Sequence, residues 1–215
     1  MKSLAVLASG SGTNLQAILD AVGSGNLEAR VGVVVSDKPR CGALRRAEAA
    51  DLPTVLLPLA SRRESVVRAN HDALLTRVVT AFDPDLIVLA GWMLILGPHF
   101  LDRFAGRIIN VHPALLPDGA GESVSTSHGE IPALRGPRTV RDALTRGLPV
   151  TGATVHYVTE TVDAGPVILR EEVPILPGDD EARLHARIKA VEHRLLCTAI
   201  DLAGRDQHAA NSPVE

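Results

Sequence analysis

The chain of 215 residues is long enough for one large α/β domain or two small ones, and 46% of it is hydrophobic, so a sizeable core can be buried. A formal net charge of -3, with no run of lysine or arginine, argues against nucleic acid as a partner. Two cysteines, Cys41 and Cys197, are too few for a disulfide framework and suit free thiols in a reducing cytoplasm.

Leu4 to Ala8 reads as a buried strand, and Gly10 and Gly12 break the run. It is too short for a signal peptide or a membrane span. Asn14 to Val22 reads as a helix, with Leu15, Ile18, Leu19 and Val22 on one face. Val31 to Val35 is a strand, Ala43 to Ala50 a helix, Thr54 to Leu57 a strand and Glu64 to Phe82 a long helix. Leu86 to Ala90 and Arg107 to Val111 are further strands. This alternation predicts a mostly parallel sheet with helices on both faces.

Pro113 to Pro137 has no clear period and reads as a long loop. Thr139 to Arg146 is a short helix. Thr154 to Val158 and Val167 to Val173 are close enough in sequence to pair antiparallel. Asp180 to Leu202 is a closing helix with acidic residues at its start, where the helix dipole favours them. The expected organisation is one domain over residues 1–202, with the long loop at 113–137, and a polar tail over 203–215.

Three groups of residues can carry chemistry. Ser9-Gly10-Ser11-Gly12-Thr13-Asn14 joins a strand to a helix. Its glycines let backbone amides approach a ligand, and the helix N-terminus favours an anion such as phosphate. A merely tight turn would look the same. In Asn110-Val111-His112-Pro113, Asn110 and His112 are two apart on a strand and so project to one side, near the end where parallel sheets bind ligands. An asparagine amide can donate to an oxyanion, and an imidazole can exchange protons near neutral pH. Asp163, in Thr161-Val162-Asp163-Ala164-Gly165-Pro166, is either an ordinary turn aspartate or a carboxylate partner for His112. His156 alternates with Thr154 and Val158 and reads as a core or site-lining group. No histidine or cysteine set has zinc-ligand spacing, so no metal is expected.

Taken together, these segments resemble phosphoribosylglycinamide formyltransferases. The likeness runs through Leu7-Ala8-Ser9-Gly10-Ser11-Gly12-Thr13-Asn14-Leu15-Gln16-Ala17-Ile18, Leu89-Ala90-Gly91-Trp92-Met93, Ile109-Asn110-Val111-His112-Pro113-Ala114-Leu115-Leu116-Pro117 and Asp163-Ala164-Gly165-Pro166-Val167-Ile168, in the family's order. The resemblance implies a Rossmann-like formyltransferase fold in the cytoplasm. It implies direct attack of the amine of glycinamide ribonucleotide on the formyl carbon of 10-formyltetrahydrofolate. Asn110, His112 and Asp163 would be the catalytic residues. Gly12, Thr13 and Asn14 would hold the phosphate, with Lys189 and Glu192 on the last helix also meeting the ribonucleotide. Met93, Leu94, Ile95, Leu96, Asn110, Thr159 and Asp163 would line the folate site, largely through backbone groups, with Arg63 near the folate's glutamate end. A homodimer is compatible with the sequence.

The sequence departs from the family at three places. Leu94 stands where an arginine is usual. The short connection after Leu-Leu-Pro is replaced by a longer one, Asp118 to Gly136. Arg138 and Asp118 stand where a histidine and a lysine are common. The longer connection, rich in glycine and serine, is expected to be a mobile lid over the site. Two other formyl-group enzymes stay open as alternatives. Methionyl-tRNA formyltransferase shares Asn-x-His-Pro-x-Leu-Leu-Pro and faintly resembles Leu134-Arg135-Gly136-Pro137, but carries a further C-terminal domain. Formyltetrahydrofolate hydrolase carries a further N-terminal domain.

Overall fold

The structure is a computed structural model, and residues 1–203 are described. All but the first residue of the polar tail expected over 203–215 lies outside them. Chain order is β1 (Lys2–Leu7), α1 (Thr13–Gly23), β2 (Ala29–Ser36), α2 (Gly42–Ala49), β3 (Thr54–Leu56), α3 (Ser65–Ala81), β4 (Leu86–Leu89), α4 (Pro98–Arg103) and β5 (Ile108–His112). There follow β6 (Ser123–Thr126), β7 (Gly129–Pro132), α5 (Thr139–Thr145), β8 (Val150–Tyr157), β9 (Val167–Pro174) and α6 (Glu181–Leu202).

A seven-stranded sheet has the order β3-β2-β1-β4-β5-β8-β9. Pairing is parallel from β3 to β5 and antiparallel at β5–β8 and β8–β9. This is the mostly parallel sheet with a late antiparallel addition that the sequence predicts. The chain turns outward in both directions from β1 and β4, so their C-terminal ends form the crevice where such sheets take ligands.

Side-chain alternation divides the core between the two faces. Leu4, Val6 and Ala8 join Leu15, Ile18, Leu184, Ile188 and Leu196 on the face covered by α1 and α6. Ala5 and Leu7 join Leu75, Val79, Phe100 and Phe104 on the face covered by α3 and α4. Each fully buried Leu or Phe side chain contributes about 1.5–3 kcal/mol relative to exposure. Ile108 belongs to the second cluster, while Ile109 and Val111 belong to the first. By the period of two, Asn110 and His112 therefore project on the α3/α4 side.

α4 is absent from the sequence reading because six residues carry no measurable period. A side chain from elsewhere starts it: buried Asp72 on α3 accepts from the amides of Gly97 at 2.8 Å and Phe100 at 3.2 Å. A side-chain cap of this kind is worth about 1 kcal/mol. A Cβ on Gly97 would stand 2.5 Å from the Asp72 carboxyl carbon, so only glycine fits there. At α6 the N-cap is local, with Asp180 accepting from the Arg183 amide. At the other end of α6, the Lys2 ammonium donates to the carbonyls of Ile200 and Asp201 at 2.6 and 2.7 Å.

The segment expected as an irregular loop over 113–137 is in fact built around a β-hairpin, β6–β7. Val124 and Ile131 project from it onto Leu115 and Val150 to form a small apolar cluster of their own. The hairpin strands have four residues each; β6 carries one apolar residue among serine and threonine, and β7 opens on glycine and ends on proline, so the alternation is too brief to register. β8 also starts earlier than expected, at Val150 rather than Thr154. Gly152 masks that start; a Cβ there would meet the Glu171 carbonyl at 2.1 Å and Leu115 at 2.5 Å.

The hairpin segment is tied down at several points. The Ser127 amide donates to Glu172 on β9 over 2.8 Å, and the Ser127 hydroxyl donates to the same carboxylate. Asp118 accepts from the Val167 amide at 3.1 Å, and Arg170 donates to the Leu116 carbonyl at 2.8 Å. These contacts hold the segment along the edge strand β9, which would otherwise present unpaired backbone groups. The geometry is that of a packed, tethered hairpin in place of an irregular loop.

Candidate active site

Asn110 and His112 lie on β5, and Asp163 lies in the turn between β8 and β9. Asp163 Oδ2 is 3.6 Å from His112 Nδ1, and Asp163 Oδ1 is 3.8 Å from His156 Nε2. Asn110 and His156 are register partners across β5–β8. Asn110 Nδ2 donates to His156 Nε2 at 3.2 Å. The His156 ring is therefore protonated on Nδ1, which donates to the Tyr157 carbonyl at 2.8 Å. Burial, first, holds His156 below the ordinary imidazole range; the Tyr157 carbonyl and Asp163 oppose that, and His112 and Arg135 add to it.

His112 is 4% exposed, and its Nε2 donates to the Leu134 carbonyl at 2.8 Å. A carbonyl can only accept, so the proton on Nε2 is fixed and Nδ1 is the nitrogen turned to Asp163. Asp163 is held in turn. The Gly136 amide donates to its carboxylate at 2.9 Å, and Arg135 Nε donates to its backbone carbonyl at 3.1 Å. Asp163 has φ 52, a left-handed conformation uncommon outside glycine. Gly165 must be glycine, because a Cβ would lie 1.9 Å from the Tyr157 carbonyl oxygen.

A second group forms where α1 meets α6. Gly12 precedes α1 with φ 76, and a Cβ there would lie 2.6 Å from Ala43 Cα. Glycine thus lets the turn fold against α2, while Gly10 and Ser11 stay exposed and Thr13 is half-buried. Asn14 Nδ2 donates to Glu192 Oε2 at 3.3 Å. Both residues are buried, and Asn14 Oδ1 has no partner. Burial raises Glu192 above the usual carboxylate range, with the Asn14 hydrogen bond and half-buried Lys189 opposing the rise.

The loops after β1 and β4 are joined. Ser9 N–H donates to the Gly91 carbonyl at 3.0 Å, and the Met93 amide donates to Ser9 Oγ at 3.0 Å. Met93 and Ile95 are exposed, at 54% and 78%. Leu94 is half-buried against the α3/α4 core, and Leu96 is buried in it, so Leu96 can offer a ligand only its backbone. Thr159 is exposed and donates to the Thr161 carbonyl at 3.3 Å. Arg63 lies exposed in the connection from β3 to α3, and no hydrogen bond or ion pair joins it to the other candidates.

The structure thus brings Asn110, His112 and Asp163 together, pairs Asn14 with Glu192, and leaves Arg63 apart. It adds His156, whose alternation on β8 was visible in the sequence. It also adds Leu134, Arg135 and Gly136, whose contacts no local pattern could reveal. Among the described residues no group of histidine, cysteine, aspartate and glutamate could hold a metal ion. No helix of the described residues is long and apolar enough to cross a membrane. Chemically, the cluster offers an amide donor, an imidazole and a carboxylate at the mouth of a parallel sheet, beside a glycine turn that opens a helix.

A family model described as formyl transferase matches residues 2–200, and the chain belongs to the formyl transferase family. Within that family it is similar to the phosphoribosylglycinamide formyltransferase of Mycobacterium tuberculosis (strain ATCC 25618 / H37Rv), at 45% identity over 92% of this chain and 82% of the relative. It is 39% identical to the phosphoribosylglycinamide formyltransferase of Escherichia coli (strain K12), over 90% of this chain and 82% of that one. Among solved structures, glycinamide ribonucleotide transformylase 1 from Symbiobacterium toebii superposes with a TM-score of 0.84 at 39% identity, covering 96% of this chain and 89% of that one.

Proposed function

We propose that this formyltransferase moves the formyl group of 10-formyltetrahydrofolate to the amine of glycinamide ribonucleotide, in the cytoplasm, as a step of purine synthesis. The observation that carries the reading is the cluster of Asn110, His112 and Asp163 at the end of β5 in a chain 45% identical to a phosphoribosylglycinamide formyltransferase.

The amine adds to the formyl carbon, giving a tetrahedral intermediate with a negative oxygen. Asn110 Nδ2 has two hydrogens and His156 takes one, so the other can donate to that oxygen. His112, held between the Leu134 carbonyl and Asp163, brings positive charge to the site when both its nitrogens carry protons. Asp163 faces Nδ1 of that ring and offers a carboxylate to the proton leaving the amine. The carbon–nitrogen bond to the folate then breaks, and the folate nitrogen takes up a proton, so the proton count balances. Gly12, Thr13, Asn14, Lys189 and Glu192 are assigned to the ribonucleotide. Asn110, Asp163, Thr159 and residues 93–96 are assigned to the folate, with Arg63 near its tail.

The test is formyl transfer from 10-formyltetrahydrofolate to three acceptors: glycinamide ribonucleotide, methionyl-tRNA and water. Turnover with glycinamide ribonucleotide alone is the expected result. Turnover only with tRNA or water would overturn the reading.

A further inference from the structure

Leu134, Arg135 and Gly136, the return limb of the hairpin segment, touch the proposed catalytic residues one after another. The Leu134 carbonyl accepts from His112, and the Gly136 amide donates to the Asp163 carboxylate. Between them, the Arg135 guanidinium spans two pieces of chain. Its Nε donates to the Asp163 carbonyl at 3.1 Å, while Nη2 donates to the Gly121 carbonyl at 2.7 Å and reaches the Gly119 carbonyl at 3.4 Å.

We propose that Arg135 is a positioning residue that sets the backbone of Asp163 and ties catalytic geometry to the hairpin. This rests on the assignment of Asp163 to the reaction. Asp163 occupies the left-handed region, as do Arg40, Asp51 and Asp83, and aspartate reaches it more readily than most residues. What marks Asp163 is a carbonyl clamped by a charged, planar donor, which holds that turn in one geometry. The guanidinium forms no ion pair among the described residues, so its donors are spent on carbonyls and its charge remains in the site. That charge disfavours a proton on His156, which must stay neutral to accept from Asn110. Groups facing His156 are Asn110, His112, Asp163, Arg135 and the Tyr157 carbonyl. A hairpin clamp with no bearing on the reaction would use the contacts to Gly119 and Gly121 and have no need of Asp163.

Arg135→Met keeps the stem and removes the donors. Its kcat should fall about tenfold or more, since small misplacements of reacting groups are costly. KM for the ribonucleotide should stay within about twofold, because Asp163 is assigned to the reaction and to the folate and not to the ribonucleotide. With the positive charge gone, His156 takes up its proton at higher pH, so the acidic limb of the kcat profile should move upward. In Arg135→Ala, which opens the space that the guanidinium fills, added guanidinium ion should restore part of the rate. Arg135→Lys serves if the Met variant fails to fold; one ammonium cannot span Asp163 and Gly121, so kcat should again fall. Asp163→Asn is measured alongside. If it turns over normally, the assignment of Asp163 has failed. If it is inactive while the Arg135 variants keep wild-type kcat and an unmoved profile, the positioning role has failed.

Discussion

Asn110 and His156 face each other across the β5–β8 pair, the amide donating over 3.2 Å to an imidazole nitrogen that must be unprotonated to accept it. Burial keeps that ring below its ordinary value of 6.5. As pH falls, the unfolded chain takes this proton before the folded one. The contribution to stability is complete above the unfolded value and is lost as pH drops below it toward the folded value. His156→Gln should therefore flatten the fall in denaturant midpoint between pH 7.5 and 5.5, and lower kcat by about tenfold through the displaced Asn110 amide. An unchanged pH dependence and rate would separate His156 from Asn110.

His112→Ala and Asp163→Asn should each lower kcat by about a hundredfold or more, the usual scale for positioned proton-transfer groups. KM for the ribonucleotide should change little. Near-normal turnover of His112→Ala would remove the histidine from the reaction.

Asn14→Ala should raise KM for the ribonucleotide more than KM for the folate, because the amides and charge of a helix terminus act only within its first turn. Equal effects would place the phosphate elsewhere. Glu192 has the opposite pH behaviour from His156. Its folded value is raised by burial, so its contribution is present below 4.5 and is lost as pH rises through the folded value. Glu192→Gln should then raise Tm at pH 7, by about 2–4 °C for each kcal/mol recovered in a chain of this size. The gain should vanish near pH 4, and KM for the ribonucleotide should rise. Differential scanning calorimetry at the two pH values and steady-state kinetics check this.

Hydrogen bonds from Ser127 hold the Glu172 carboxyl below its usual range. That latch is present above 4.5 and is lost as pH falls through the folded value. A protease specific for glutamate should cut the free wild-type protein slowly at Glu122 and Glu130. Glu172→Ala should make both sites several times more sensitive at neutral pH. Rapid cutting of the free wild type and protection only by the two substrates would support the mobile lid expected from the sequence.

Leu94→Arg tests the departure beside Met93. Its side chain rests half-buried on the α3/α4 core, so the substitution should lower Tm as well as strengthen binding of polyglutamylated folate over folate lacking glutamate. An unchanged ratio of the two affinities would mean that position 94 does not face the tail.

Periodicity made the parallel half of the fold legible, because β4 and Leu4 to Leu7 of β1 are continuous apolar runs buried on both faces, and β5 is apolar at Ile108, Ile109 and Val111. It also placed Asn110 and His112 on one side, since a strand repeats every two residues. The hairpin and α4 escaped because each is short and is held by residues far away in sequence, Glu172 in one case and Asp72 in the other. From the residues alone Asp163 is either a turn aspartate or a partner for His112, and only the family resemblance assigns it to the reaction. What distinguishes it from other turn aspartates is the convergence of His112, His156, Arg135 and Gly136 upon it, and convergence of distant segments has no local trace.

Ser9 has a consequence for how two ligands would be sensed. It lies on the glycine turn assigned to the phosphate, and its hydroxyl accepts from the Met93 amide in the loop assigned to the folate. Its own amide donates to Gly91 in that same loop. Were one loop ordered by its ligand, these bonds would reduce the freedom still to be lost by the other. Such cooperation is reciprocal by thermodynamic necessity: the factor by which the nucleotide raises affinity for the pterin carrier equals the factor in the other direction. Two substrates with no shared binding residue would then assemble as a synergistic pair through one serine.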